Sequence, residues 1–149
     1  MVVTARGRLA ELGIELPPVA TPAGAYLPAV RTGNLVYTAG QIPREAPNGK
    51  VGAEVSEEDG KAAARTCALQ ALAAVDALVG IDSIARVVKV VGFVASAPGF
   101  GGQPAVVNGA SELLGEIFGE AGQHARSAVG VAELPGNVPV EVELIVEVR

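Results

Sequence analysis

The sequence has few aromatic side chains and almost no cysteine or histidine. Aromatic residues make up 3% of its 149 residues, tryptophan is absent, and there is one cysteine (Cys67) and one histidine (His124). A single cysteine excludes an intramolecular disulfide and is typical of a reducing compartment. With one histidine and no cysteine pair, we expect no zinc site and no cofactor. The core must instead be built from Val, Leu, Ile and Ala.

An excess of basic residues is also lacking. The 11 Lys and Arg are outnumbered by 16 Asp and Glu, for a net charge of −5, which makes nucleic acid a poor candidate partner. No apolar run approaches the roughly 20 residues of a membrane span, and the N-terminus shows no secretion signal. We therefore expect a cytoplasmic protein that binds neither nucleic acid nor membrane, folded as one domain over residues 1–149.

Hydrophobic periodicity predicts the element order β-β-α-β-α-β-β, after a short helix near the N-terminus. The expected elements are strands at 25–30 and 35–38, a helix from 56 to 80, a strand at 84–95, a helix from 104 to 122, and strands at 125–132 and 138–148. Two helices cannot cover both faces of such a sheet, so we expect one α+β sheet with both helices on one face. Pro135-Gly136 is typical of a type II turn and predicts that it joins the last two strands directly.

Alternation in the last strand separates two faces of the expected sheet. The face that should meet the helices carries Val140, Val142, Leu144, Val146 and Val148, and the opposite face carries Glu141, Glu143, Ile145 and Glu147. In the preceding strand we assign Val129 and Val131 to the core, which puts Arg126, Ala128 and Gly130 on the open face. Small residues there favour close approach of another surface, and a second copy of the chain is the economical candidate.

Arg126 begins an otherwise apolar strand, so it is a candidate site residue. If Pro135-Gly136 centres the turn, Glu141 lies opposite Gly130, about 13 Å along the strand from Arg126. That gap suits a small molecule whose carboxylate the guanidinium grips while the glutamate deprotonates a water. The alternative is that Arg126 pairs with a glutamate and only stabilises an interface.

Phe100 and His124 also stand out. Phe100 lies between Gly99 and Gly101 on a segment of breaker residues, where a large ring has no obvious core role, so we expect it to act as a lid. For His124, which directly precedes the strand of Arg126, a polar cap is the favoured interpretation and a catalytic imidazole the alternative.

Two stretches resemble the signature of the Rid/YjgF family of reactive intermediate deaminases. One is HARSAVGVAELP followed by VPVEVE, and the other is RTGNLVYTAGQIP at residues 31–43. Tyr26 falls where that family carries its active-site tyrosine, and Asn108 also matches. The resemblance implies a chorismate-mutase-like α+β fold and a homotrimer with clefts between subunits. It also implies hydrolysis of imines and enamines, such as 2-aminoacrylate, to a keto acid and ammonia.

The resemblance also implies roles for individual residues. Arg126 would bind the substrate carboxylate, the strand backbone near Ala128 and the carboxylate of Glu141 would position the water, and Tyr26 would close the cleft from a neighbouring subunit. The full set of expected substrate-binding residues is Arg126, Ala128, Ala39, Gly40, Asn108 and Phe100.

The sequence departs from the family pattern at two of these positions. Ala39 stands where deaminating members often carry serine, and Ala128 stands where many carry cysteine. Whether the chain is an enzyme is therefore left open at this point. The alternatives to an imine hydrolase are a non-catalytic trimer that binds small carboxylates and, least favoured because basic and stacking residues are scarce, a ribonuclease.

Overall fold

The computed structural model describes residues 3–149 of the chain. The helices are α1 (Ala5–Glu11), α2 (Glu57–Val79) and α3 (Gln103–Phe118), and the strands are β1 (Ala29–Thr32), β2 (Leu35–Thr38), β3 (Ile84–Ala95), β4 (Ala125–Val131) and β5 (Val140–Val148). Short 3-10 turns occur at Ile81–Ser83, Gly119–Gly122 and Pro135–Asn137. The order β-β-α-β-α-β-β after a short first helix agrees with the one expected from the sequence.

Local sequence explains where the long helix begins and ends. The hydroxyl of Ser56 accepts a hydrogen bond from the backbone N–H of Asp59 at 3.0 Å, which caps the N-terminus of α2. Acidic residues in the first turn, among them Glu57, complement the positive end of the helix dipole. Gly80, at φ 82°, then ends the helix in a conformation that glycine adopts without strain.

The five strands form one mixed sheet in the order β1-β2-β5-β3-β4. β3 pairs with β4 in parallel and with β5 antiparallel, so it lies between them. The expected direct pairing of the last two strands is therefore wrong. Pro135–Asn137 does form a tight turn, with φ at 65° for Gly136 and 57° for Asn137. A turn signal places a bend in the chain but does not choose the strand's neighbour, and the long, Val-rich β3 lies between β5 and β4.

The first hairpin begins later than expected. β1 starts at Ala29, and Gly33 (φ 57°) and Asn34 form the two-residue turn to β2. Pro28 has no N–H to offer a sheet ladder, which keeps it outside the strand. Its carbonyl oxygen instead accepts a hydrogen bond from Ala39 N at 2.8 Å.

Both long helices pack on one face of the sheet, as expected. The alternate β5 residues from Val140 to Val148 on this face are each at most 2% exposed. α2 presents mostly alanines to the sheet, and α3 lies against α2 so closely that a Cβ at Gly109 would overlap the carbonyl oxygen of Lys61. Small side chains therefore let α2 approach both the sheet and α3 closely, as the scarcity of aromatic residues predicts.

By length and composition, α2 could also cross a membrane. It has 23 residues, and its most apolar 18-residue window has a mean hydropathy of 1.4. Buried core helices of this length meet the same criterion, and 56% of that window is buried inside the fold. The apolar surface of α2 is therefore used within the domain, chiefly against β5 and α3.

The assignment of faces in β4 is the opposite of the expected one. Arg126 and Ala128 stand beside Val90 and Gly92 of β3, in the rows that face the helices, whereas Val129 stands beside Phe93 on the open face and is 43% exposed. Hydrophobicity alone suggested that Val129 was core. As an edge strand under the end of α3, β4 instead turns its polar and small residues toward the helix and leaves a valine on the open face.

Candidate active site

The guanidinium of Arg126 is held by three acceptors on α3. Its Nη1 donates to Asn108 Oδ1 at 2.8 Å and to Ser111 Oγ at 3.1 Å, and its Nη2 donates to the carbonyl oxygen of Pro104 at 3.1 Å. Asn108 and Ser111 are three residues apart and therefore lie on one face of the helix. The structure thus brings together Arg126 and Asn108, two residues that the sequence singled out, and adds Ser111, which it did not.

All three acceptors are uncharged, so the positive charge of Arg126 is not neutralised by its neighbours. The ion pairs found among residues 3–149 involve other cations, and none includes Arg126. The nearby α3 carboxylates Glu112 and Glu116 pair instead with Lys61 and Arg65 of α2. A half-buried guanidinium held by neutral groups keeps its charge and is chemically suited to accept a carboxylate.

The backbone of β4 adds polar groups beside this guanidinium. The carbonyl oxygen of Val131 accepts from Ser96 N, so it points toward the β3 side. Because successive residues of a strand direct their amide groups to alternate sides, Ala128 directs its N–H and carbonyl to the outer edge of the sheet. We call Arg126, Asn108, Ser111 and the backbone of Ala128 the anion half-site.

A second set of site residues lies around Glu141. An open cleft of about 690 Å³ is lined by Tyr26, Ala39, Gly40 and Glu141 together with apolar neighbours such as Leu27 and Tyr37. The ring of Tyr26 is 50% exposed, and its hydroxyl accepts from Ala23 N at 3.2 Å. We call Tyr26, Ala39, Gly40 and Glu141 the carboxylate half-site.

A β-bulge shapes the carboxylate half-site. The chain takes one more residue between Tyr37 and Gln41 than β5 takes between their partners Ile145 and Val142. The extra length lets Ala39 and Gly40 bow over Glu141, and a Cβ at Gly40 would collide with the Glu141 carboxylate. Glycine at this position therefore lets the Glu141 carboxylate lie directly against the bulge, and a larger residue would displace that carboxylate.

The bulge is fixed from below by a buried glutamine of α2. Gln70 is 2% exposed, its Nε2 donates to Ile42 O at 2.7 Å, and its Oε1 accepts from Arg44 N at 2.9 Å. Both backbone groups lie in the segment that follows Gly40. Gln70 thereby satisfies a loop that would otherwise leave polar backbone groups buried without partners.

The environment of Glu141 favours its protonated form. Partial burial raises the pKa of this carboxyl above its ordinary value, and the negative charge of Glu143, on the same face of β5, raises it further. A carboxylate with a raised pKa holds its proton more readily, which suits a group that must take up and return a proton during one reaction.

Within one chain the two half-sites do not meet. Arg126 lies in a row with Val90 and Leu144 on the helix side, whereas Glu141 lies in a row with Phe93 on the open side. The expected strand register, which put Arg126 and Glu141 about 13 Å apart on one face, is therefore wrong, because it assumed that β4 and β5 were neighbours.

Phe100 belongs to neither half-site. It is partly buried against the hydrophobic core, and its ring contacts the positions of Gly52 and Gly102, neither of which has room for a Cβ. The expectation that this ring has no core role is wrong, and with it goes the reason for treating it as a lid. A glycine-rich segment around a large ring here provides space for packing.

The sequence assigned no role to Ser111 or Gln70, and for His124 it favoured a polar strand cap, with a catalytic imidazole as the alternative. Ser111 could have been found from its spacing, because it lies three residues after Asn108 and therefore on the same face of the helix. Gln70 sits on the apolar side of an alanine-rich helix, and a buried amide in that position indicates a specific polar partner. Within residues 3–149, no group of three or more His, Cys, Asp or Glu is arranged to hold a metal ion.

Comparison with known proteins places this fold and these residues in a family. Residues 18–148 match the family described as Endoribonuclease L-PSP. The 2-iminobutanoate/2-iminopropanoate deaminase of Dermatophagoides farinae is 35% identical over 139 residues, covering 91% of this chain and 95% of that protein.

Solved structures agree. A protein of unknown function from Agrobacterium tumefaciens, Atu1372, is 46% identical with a TM-score of 0.88, covering 97% of this chain and 92% of that one. The YjgF gene product of Escherichia coli is 32% identical with a TM-score of 0.64, covering 90% and 94%. The chain belongs to the Rid/YjgF family, also called the L-PSP endoribonuclease family, and has its chorismate-mutase-like α+β fold. Relatives named as deaminases support imine or enamine deamination as the family's general function.

Proposed function

We propose that this protein hydrolyses small imine or enamine acids to keto acids and ammonia, in clefts between the subunits of a homotrimer. One observation carries the proposal: Arg126 is held by uncharged acceptors and has no carboxylate partner among the described residues. An arginine that only stabilised the fold would be expected to pair with one of the acidic side chains, which outnumber the basic ones.

The two half-sites supply complementary parts of this reaction. Arg126 grips the substrate carboxylate, and the outward backbone groups of Ala128 hold the water or the nitrogen beside it. Glu141 takes a proton from water as its oxygen adds to the imine carbon, and it returns the proton to the nitrogen. As the carbon–nitrogen bond of the resulting amino alcohol breaks, Glu141 carries the hydroxyl proton to the nitrogen, leaving a keto acid and ammonia. An enamine enters this sequence after it has tautomerised to the imine, by loss of a proton from its nitrogen and gain of one at its terminal carbon. Tyr26 covers the bound substrate.

A site shared between subunits follows from the positions of the half-sites. Since Arg126 and Glu141 face opposite sides of the sheet, a second copy of the chain must bring its Glu141 to the Arg126 of the first. The open face also needs cover, because Val129, Tyr37 and Val30 are each more than 40% exposed on it. These observations support a closed oligomer in which each subunit contributes one half-site to each of two clefts, and the family resemblance implies that it is a trimer.

A non-catalytic trimer that binds small carboxylates is the second candidate. It is favoured by Ala39 and Ala128, which provide no side-chain hydrogen bonds where a reacting group would sit. Glu141 argues against it, since a second carboxylate would repel an anionic ligand unless it served the chemistry. Ribonuclease activity, which the family's name suggests, fits least well with a chain of net charge −5.

The test is a rate measurement on the purified protein. The substrate is 2-aminoacrylate generated continuously in solution, and the readout is the formation of pyruvate above the spontaneous rate. We expect acceleration by the wild type and none by an Arg126→Ala variant of unchanged oligomeric state. Tight pyruvate binding without acceleration would favour the non-catalytic candidate, and neither binding nor acceleration would overturn both.

A further inference from the structure

The only histidine of the chain lies at the end of a hydrogen-bonded series that leads to Arg126. His124 Nδ1 is 2.6 Å from the carbonyl oxygen of Gly122, and its Nε2 is 2.9 Å from Ser111 Oγ. The same Ser111 Oγ accepts from Arg126 Nη1 at 3.1 Å. All three side chains are half-buried between the middle of α3 and the start of β4.

The direction of each hydrogen bond follows from the chemistry of the groups. A carbonyl oxygen can only accept, so His124 Nδ1 must carry a proton to donate to Gly122. In a neutral imidazole Nε2 is then the acceptor, and the Ser111 hydroxyl must donate to it. This leaves the lone pairs of Ser111 Oγ directed to Arg126, which is a donor only.

We propose that Ser111 and His124 are positioning residues that hold the guanidinium of Arg126 in the orientation needed to bind a carboxylate. The inference rests on the proposed function and extends it. His124 fixes the rotor of the Ser111 hydroxyl, and Ser111 with Asn108 fixes Nη1, so a flexible arginine is ordered before the ligand arrives. Neutral partners fix the guanidinium and leave its positive charge available to the ligand. A carboxylate partner would neutralise that charge.

The first test reads the imidazole directly in the protein without ligand. Because His124 is the sole histidine, nitrogen NMR at pH 8 gives one pair of ring signals with no assignment ambiguity. We expect a protonated Nδ1 and an unprotonated Nε2. In the Ser111→Ala protein the same tautomer should persist, because Gly122 still accepts from Nδ1, but the Nε2 signal should shift as it loses its donor. A protonated Nε2 in the wild type would overturn the series.

The second test measures pyruvate binding by calorimetry in a double-mutant cycle. We expect Ser111→Ala and His124→Ala each to weaken binding about three- to ten-fold, the range of one lost hydrogen bond. The double variant should be no weaker than Ser111→Ala alone, because His124 acts through Ser111. Ser111→Thr, which keeps the hydroxyl, should bind like the wild type. Losses that multiply in the double variant, or single variants that bind like the wild type, would overturn the proposal.

A matched control separates this effect from a general loss of a hydroxyl. The side chain of Ser83 hydrogen-bonds to Gly80 O. Ser83 directly precedes β3 and is seven residues from Val90, the β3 residue beside Arg126, so Ser83→Ala should leave pyruvate binding unchanged. The binding titrations also distinguish a failure of the proposed function from a failure of the positioning role. A wild type that binds no pyruvate contradicts the proposed function. A wild type that binds, an Arg126→Ala that does not, and an unaffected Ser111→Ala contradict only the positioning role.

Discussion

Arg126 and Glu141 lie on opposite faces of one sheet, with strand β3 between the strands that carry them. Each is surrounded by its own group of site residues, and no movement of side chains within one chain can join the two groups. A catalytic role for both residues in one site therefore requires two copies of the protein.

Replacing Arg126 should remove carboxylate binding but leave the fold intact. Because no carboxylate pairs with it among the described residues, Arg126→Ala strands no buried charge; it loses three hydrogen bonds at a half-exposed position, and the free energy of unfolding should fall by about 1–2 kcal/mol. Arg126→Leu should behave in the same way. A thermal melt and a pyruvate titration on each protein provide the check. A loss of about 3–5 kcal/mol would show instead that Arg126 is half of a buried structural pair in the assembly.

Glu143 should tune the pH dependence of the reaction through Glu141. As a base, Glu141 must be ionised, so kcat/KM should fall as the pH drops through its raised pKa. Glu143→Gln removes a nearby negative charge that raises this pKa, so the acid limb of the pH–rate profile should move to lower pH. Glu147→Gln, a change of the same kind farther along β5, is the control and should leave the limb in place. An unmoved limb in Glu143→Gln would contradict this electrostatic coupling.

Gln70 should support the carboxylate half-site from beneath it. Gln70→Leu has a similar volume but leaves Ile42 O and Arg44 N without their partner, at a cost of about 1–3 kcal/mol for each buried group left unsatisfied. The bulge carrying Gly40 should loosen, so we expect a lower melting temperature and a lower kcat. Exchange of the Arg44 amide hydrogen, measured by NMR, reports the local effect. Unchanged amide protection would show that the bulge is held by other contacts.

Gly109 should be essential for the close approach of the two long helices. Gly109→Ala forces a methyl group against the Lys61 carbonyl oxygen, and overpacking of this kind costs roughly 1–3 kcal/mol. Gly115 lies on the same helix with open space at its Cβ position, so Gly115→Ala should instead stabilise the protein by about 0.5–1 kcal/mol. Chemical denaturation of the two variants gives the comparison. Equal effects would mean that helix propensity, and not interhelical distance, dominates at Gly109.

Much of the fold could be predicted from local patterns. Strict alternation from Val140 to Val148 identified the buried face of β5, and Ser56 and Gly80 marked the ends of α2, because these signals act on the residues that carry them. The two family motifs identified Arg126 and Glu141 as candidates, and the wider family resemblance added Tyr26 and Asn108. Their roles in catalysis remain predictions.

Long-range pairing was what local patterns could not provide. The turn at Pro135–Asn137 was recognised, yet nothing in it indicates that β3 separates β4 from β5. The error in strand order placed Arg126 about 13 Å from Glu141, and the assignment of Val129 to the core put both on one face, so that a site within one chain looked feasible. Phe100 was misjudged and Ser111 was missed for a related reason. Phe100 packs against a core built from distant parts of the chain, and Ser111 contacts Arg126 on another element.

The central claim, that each active site takes Arg126 from one subunit and Glu141 from another, is tested most directly with mixed oligomers. Arg126→Ala and Glu141→Gln proteins should each be inactive alone. When the two are unfolded together and refolded at equal concentrations, about one quarter of the sites should receive an intact half from each chain, so we predict about one quarter of wild-type activity toward 2-aminoacrylate. A mixture that forms hybrid oligomers but stays inactive, beside an active wild type, would contradict the shared site.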